Sequence, residues 1–160
     1  MEKIIFSGTF DPFTYGHLDI ALRASKLCAE LIILVLENKD KKTLFTIAER
    51  EKMIRTVIAD QNKIRVDSWS GLLVDYCANN DVKTIIRGLR NELDYSYEST
   101  MALTNNMLLP DCETIFITTS PEYSYISSSA VRIIAGYRGD IDKMVPPPVA
   151  AAVKRKFAYI

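Results

Sequence analysis

Five short apolar runs rich in β-branched residues recur along this chain, each separated from the next by a stretch of helical period, and that alternation leaves few folds open. The runs cover residues 3–6, 31–36, 64–68, 82–86 and 114–118. Continuous rather than alternating runs of this length suit a parallel sheet covered on both faces. Between them, Leu18, Ala21, Ala24, Leu27 and Cys28 fall on one helical face, starting just after Gly16 and His17. Thr46 and Glu49 have the spacing of a capping box, which predicts a helix from there to about Ala59. Residues 72–78 and 92–109 read as further helices, the second stopped before Pro110. A helix over about 128–135 follows, with Gly136 as its terminator, and Pro146, Pro147 and Pro148 lead into a last helix over 149–157. This order predicts an α/β fold with a doubly wound, five-stranded parallel sheet. It predicts one domain over residues 1–160, with a C-terminal helical segment over about 141–160.

Composition narrows the function. Twenty basic residues balance twenty acidic ones, which excludes a generally basic nucleic-acid coat but leaves room for a local patch that binds a nucleotide. Cys28, Cys77 and Cys112 form no CxxC pair and read as small buried residues of a reducing compartment. His17 is the only histidine, so imidazole ligation of a metal is limited. The chain starts directly in a strand-like run without a signal-peptide pattern, and apolar runs such as 31–36 are far too short for a bilayer. The expectation is a cytoplasmic protein with no membrane or nucleic-acid partner.

Ligands of doubly wound sheets sit beyond the carboxyl ends of the strands, so the residues after each strand matter most. The first is followed by G-T-F-D-P-F-T-Y-G-H, residues 8–17. Gly8 permits close backbone approach, and the helix start at Gly16 and His17 offers free amides and a positive dipole end to a phosphate. Standing alone, a Gly-His pair more often belongs to an ordinary strand-to-helix turn with a capping or packed histidine. The fourth run is followed by I-R-G-L-R, residues 86–90, with Asp94, Tyr97 and Glu98 on the next helix. Two arginines placed immediately off a strand put two phosphate-binding forks at the sheet edge; two solvated loop arginines are the plain alternative. After the last strand comes Y-S-Y-I-S-S-S, residues 123–129, then Val131 and Arg132. A serine-rich helix start is commonly just a cap, yet its hydroxyls and amides suit the β- and γ-phosphates of a nucleotide.

Together with K-K-x-x-F-T-x-x-E-R, residues 41–50, these segments resemble the bacterial phosphopantetheine adenylyltransferases of the nucleotidyltransferase superfamily, in matching order over essentially the whole chain. The resemblance implies a Rossmann-like nucleotidyltransferase fold and the penultimate step of coenzyme A synthesis, in which ATP and 4′-phosphopantetheine give dephospho-CoA and pyrophosphate with Mg2+. It implies that His17 stabilises the transition state, with Lys41 and Thr9 beside it. It places ATP on Thr9, Phe10, His17, Gly88, Leu89, Arg90, Glu98, Tyr123, Ser124, Tyr125, Ile126, Ser127, Ser128 and Ser129. It places phosphopantetheine on Thr9, Lys41, Leu73 and Arg87, with Lys42 as the alternative lysine. No residue is expected to ligate the metal, which arrives with ATP. A hexamer and feedback inhibition by CoA are further implications.

Ser7 departs from the proline frequent at its position, a change expected to affect the turn rather than a contact. Gly136 departs from a basic residue in some relatives. Transferases acting on nicotinamide mononucleotide or glycerol phosphate share the first signature but not I-R-G-L-R. The alternative on the same fold is a non-catalytic nucleotide-binding or sensing module. Met101, Leu103, Met107 and Leu108 read as packing against the sheet or a neighbouring subunit, Trp69 as half-buried core, and Lys154, Arg155 and Lys156 as a solvated helix face.

Overall fold

Each apolar run is a strand in the computed structural model, which describes residues 3–37 and 42–158. The strands are β1 (Lys3–Gly8), β2 (Glu30–Leu36), β3 (Ile64–Trp69), β4 (Thr84–Leu89) and β5 (Glu113–Thr118). They pair in parallel in the order β3-β2-β1-β4-β5. The helices are α1 (Tyr15–Ala24), α2 (Ile47–Val57), α3 (Leu73–Asn79), α4 (Glu92–Leu108), α5 (Ser128–Gly136) and α6 (Pro147–Lys156). The doubly wound α/β fold expected from the sequence is the one observed.

Side chains alternate across the sheet, and both faces are covered. Ile4, Phe6, Leu31, Ile33, Val35 and Ile86 join residues of α1, α2, α5 and α6 in one core. Ile5, Ile32, Leu34 and Ile85 pack with Tyr76 and Cys77 of α3 and with Cys112 in the other. All three cysteines are buried free thiols. Trp69 is half-buried, edge-on to Tyr76 at 5.6 Å, with its indole N–H donating to the Leu72 carbonyl at 3.0 Å. The predicted capping box opens α2: Thr46 accepts from the Glu49 amide at 3.2 Å, and Glu49 accepts from the Thr46 amide at 2.8 Å. Such a cap stabilises a helix by about 1 kcal/mol.

Four expectations change or narrow. The run at 82–86 does not end the fourth strand, because Arg87, Gly88 and Leu89 stay registered with Phe116, Ile117 and Thr118 of β5. Backbone pairing continues where apolarity stops, so of the two arginines only Arg90 lies beyond the strand. α5 ends at Gly136 as expected, but the stop is made beyond it: Arg138 takes φ 59° and the Gly139 amide donates to the Ile134 carbonyl at 2.9 Å. A Cβ on Gly139 would lie 2.7 Å from Ile134 Cγ2, so this is the glycine that the helix stop requires. The cationic end of α6 is not merely solvated: Lys154 pairs with Asp142 at 2.7 Å, and Lys156 pairs with Glu49 at 2.9 Å while lying over the Phe45 ring. Finally, of the two alternatives for Met101, Leu103, Met107 and Leu108, the sheet is set aside and a neighbouring subunit stays open: all four are exposed, and α4 has no buried residue.

Candidate active site

β1 and β2 stay registered over six residue pairs, but β1 and β4 over only two, Ile5 with Ile85 and Phe6 with Ile86. Chain direction also reverses here, since α1 leads from β1 out to β2 while α3 leads from β3 back across to β4. That reversal is where doubly wound sheets bind ligands, and a cleft of about 320 Å³ opens there. Arg87 forms its floor. Its Nη1 donates to the Ser7 carbonyl and lies 3.1 Å from the Ser7 hydroxyl, while Nε and Nη2 donate to both oxygens of Glu98 at 2.7 and 2.6 Å. Ser7 therefore makes a contact of its own, contrary to expectation. Arg90 is held likewise, by Asp94 at 2.9 and 3.0 Å.

His17 is the third residue of α1 and closes an unusual capping box. The Thr14 hydroxyl accepts from the His17 amide at 3.3 Å, and the Thr14 amide donates to His17 Nδ1 at 3.0 Å. A backbone N–H can only donate, so Nδ1 is an acceptor and the neutral ring carries its proton on Nε2. The ring stacks on Phe13 at 5.5 Å and meets the edge of Phe10 at 5.1 Å. Burial, with the charges of Arg90 and Arg87 adding to it, holds the imidazole pKa down at about 3. His17 thus caps its helix and also presents a neutral N–H donor in the cleft.

The first turn of α1 offers fewer amides than the sequence led us to expect. Tyr15 donates to the Met144 carbonyl and His17 to Thr14; among the described residues nothing takes up the Gly16 amide. At α5, Ser127 caps by accepting from the Ala130 amide at 3.0 Å, and the Ser128 hydroxyl donates to the Pro12 carbonyl at 2.8 Å. The amides of Ser128 and Ser129 have no protein partner among the described residues, at a positive helix end that faces the cleft. Arg132 joins this end to the first turn, donating from Nη1 to the Asp11 carbonyl and from Nη2 to Ser129 Oγ at 3.3 Å.

Comparison with known proteins agrees with this geometry. Residues 5–134 match the cytidylyltransferase-like family. The phosphopantetheine adenylyltransferase of Shouchella clausii is 46% identical over 157 residues, spanning 98% of this chain and 99% of that protein. That of Dictyoglomus thermophilum is 46% identical over 157 residues, spanning 98% and 96%. That of Clostridium botulinum strain Langeland is 45% identical over 159 residues, spanning 99% and 97%. The chain belongs to the phosphopantetheine adenylyltransferase family. It is an enzyme, a nucleotidyltransferase, rather than a non-catalytic module.

Of the site residues expected from the sequence resemblance, Thr9, Phe10, His17, Arg87, Gly88, Arg90, Glu98, Ile126, Ser127, Ser128 and Ser129 line the cleft. Lys41 lies outside the described residues; its neighbour Lys42 lines the cleft. Leu89, Tyr123, Ser124 and Tyr125 are not on its wall. Tyr123 stacks on Tyr15 at 6.1 Å, Ser124 donates to the Pro121 carbonyl and Tyr125 is exposed. Leu73, like Trp69, is partly buried and packs against the second core. Asp11, Arg50 and Arg132 were not singled out from the sequence as site residues. Arg50 was detectable in principle, because it falls on the same helical stripe as Ile47, Ile54 and Val57 and so had to be buried.

Two outcomes follow from the His17 setting. A Cβ on Gly8 would lie 2.8 Å from the Phe10 ring, whose edge packs on His17. Gly8→Ala should displace that ring and lower kcat by about tenfold, with little change in far-UV circular dichroism; unchanged kcat would show the ring to be dispensable. Because the folded pKa of His17 lies below its unfolded value, the unfolded chain takes up the proton first as pH falls. His17 therefore contributes fully to stability above about pH 6.5 and progressively less as pH falls toward its folded pKa. Calorimetry should show Tm falling between about pH 6.5 and 4 more steeply for wild type than for His17→Asn. Parallel slopes would contradict the half-buried neutral imidazole.

Proposed function

We propose that this enzyme transfers the adenylyl group of ATP to 4′-phosphopantetheine, releasing pyrophosphate and forming dephospho-CoA, the penultimate step of coenzyme A synthesis in the cytoplasm. The observation that carries the reading is one switch-point cleft in which a neutral histidine donor, two carboxylate-braced arginines and the amide end of α5 converge. An acceptor phosphate oxygen attacks the α-phosphorus, a new P–O bond forms and the bond to the departing pyrophosphate breaks. The nucleophile is already anionic, so no general base is required, and catalysis is positioning and electrostatics.

His17 Nε2–H donates to the α-phosphate oxygens as charge builds. Thr9, Lys41 and Arg87 hold the acceptor phosphate and offset its repulsion by ATP, and Leu73 meets the pantetheine arm. ATP takes the side formed by Phe10, residues 88–90, Glu98 and residues 123–129. Mg2+ enters as part of the ATP substrate, coordinated by phosphate oxygens and water. The nearby carboxylates favour this, since Glu98, Asp94 and Asp11 are already taken up by Arg87, Arg90 and the Leu44 and Phe45 amides. CoA, which contains both halves of the product, would occupy the same cleft as a feedback inhibitor.

The exposed Leu93, Tyr97, Leu103 and Met107 of α4 form the kind of apolar surface that a subunit interface covers. The hexamer that the resemblance implies would use this face: light scattering should give a particle of six chains rather than one, and Leu103→Glu should shrink it.

The reaction is tested by supplying ATP and magnesium with phosphopantetheine, dephosphorylated pantetheine, nicotinamide mononucleotide or glycerol 3-phosphate and following pyrophosphate. Release with phosphopantetheine alone, with dephospho-CoA identified by mass, is the expected result. Release with another acceptor would overturn the acceptor assignment and leave the ATP side standing.

A further inference from the structure

We infer that Arg50 is a positioning residue for the acceptor half of the cleft, fixing the turn after β1 against the lysine-bearing segment before α2 through three backbone carbonyls. This rests on the acceptor assignment above. Arg50 is 2% exposed, and a buried guanidinium is tolerated only when its donors are satisfied. Its partners come from three separate segments. Nη1 donates to the Thr9 carbonyl at 2.6 Å and to the Leu36 carbonyl at 3.3 Å, and Nε donates to the Phe45 carbonyl at 3.2 Å. Leu36 at the end of β2 and Phe45, three residues after Lys42, are thus bound to one planar group that also holds Thr9.

Asp11 completes the bracket from the opposite side. It is 3% exposed, and its two carboxylate oxygens accept from the Leu44 amide at 2.7 Å and the Phe45 amide at 3.0 Å. Phe45 is therefore gripped through its N–H by one turn residue and through its C=O by Arg50. Packing alone gives no reason for a charge at this place, since Met53 and Ile54 beside it on α2 are plain core. A fork with fixed divergent donors does give one: from two separate nitrogens it sets the spacing of the Thr9, Leu36 and Phe45 carbonyls, whereas lysine's three donors rotate about a single nitrogen. Gly88, Arg90 and Ser127 to Ser129, on the ATP side, make none of these bonds.

The test compares wild type, Arg50→Lys and Asp11→Asn, which keeps only one amide-accepting oxygen. For Arg50→Lys, kcat/KM for phosphopantetheine at saturating ATP should fall about 100-fold. The dissociation constant of Mg-ATP, measured without acceptor, should stay within about twofold. Hydrogen exchange should rise over residues 42–46 and stay unchanged over 127–135. Asp11→Asn should lower the same kcat/KM by about tenfold and raise exchange over residues 42–46; because Asp11 also faces Arg132 of α5 at 3.7 Å, its exchange is read on 42–46 alone, and it carries the test if Arg50→Lys does not fold. Equal losses for acceptor and ATP, or unchanged protection over 42–46, would overturn the inference. Wild type that ignores phosphopantetheine would instead overturn the acceptor assignment and leave the exchange result to decide the bracket.

Discussion

His17→Asn should lose turnover by about 10²–10³-fold, equivalent to roughly 3–4 kcal/mol of transition-state stabilisation, while its helix cap survives. The asparagine Oδ1 stands near the position of Nδ1 and can still accept from the Thr14 amide, but nothing replaces Nε2–H. His17→Ala should lose as much turnover and, in addition, about 1 kcal/mol of stability with the cap. His17→Gln is the informative contrast: its terminal NH2 reaches the place of Nε2, so part of the activity should return although the cap is gone. Pyrophosphate release and calorimetry on the three variants separate the two functions of the ring. Near-normal kcat in His17→Asn would remove the donor from the mechanism.

Arg87→Ala should lower kcat/KM for phosphopantetheine by at least about 10²-fold and should also destabilise the fold. The substitution leaves the Glu98 carboxylate, 13% exposed, without its bidentate partner, and frees the Ser7 carbonyl where the β1–β4 ladder ends. Breaking a fully buried pair costs about 3–5 kcal/mol; with Arg87 a quarter exposed, about 2 kcal/mol is the expected loss. Glu98→Gln retains a hydrogen-bond acceptor and should be milder on both counts. In the double variant the stability losses should be less than additive by about 1 kcal/mol or more. Full additivity would mean that the two side chains do not act as a unit, and kcat/KM within fivefold of wild type would remove Arg87 from the acceptor site.

The parts legible from the sequence share one cause: they rest on local patterns. Strand runs, helix periods and the Thr46–Glu49 cap depend on residues a few positions apart, and the G-T-F-D-P…G-H, I-R-G-L-R and I-S-S-S segments are contiguous strings. The double role of His17 was half visible, since capping was one reading of Gly-His and phosphate contact the other. What stayed hidden involves partners distant in the chain. Arg87 and Glu98 were assigned to different substrates, yet they grip each other. Ser7 was read as part of a turn, yet its carbonyl and hydroxyl meet a guanidinium 80 residues away.

By itself, then, the sequence determined the class of fold, the order of its elements and the segments that gather at the switch-point cleft, because hydrophobic period, capping chemistry and contiguous strings act over short stretches of chain. Only the tertiary structure decided where β4 ends, which proton His17 carries, and that Asp11, Arg50 and Arg132 brace the cleft. Those outcomes depend on which carbonyls, carboxylates and rings are left facing one another once the sheet has closed, and no local pattern encodes that geometry.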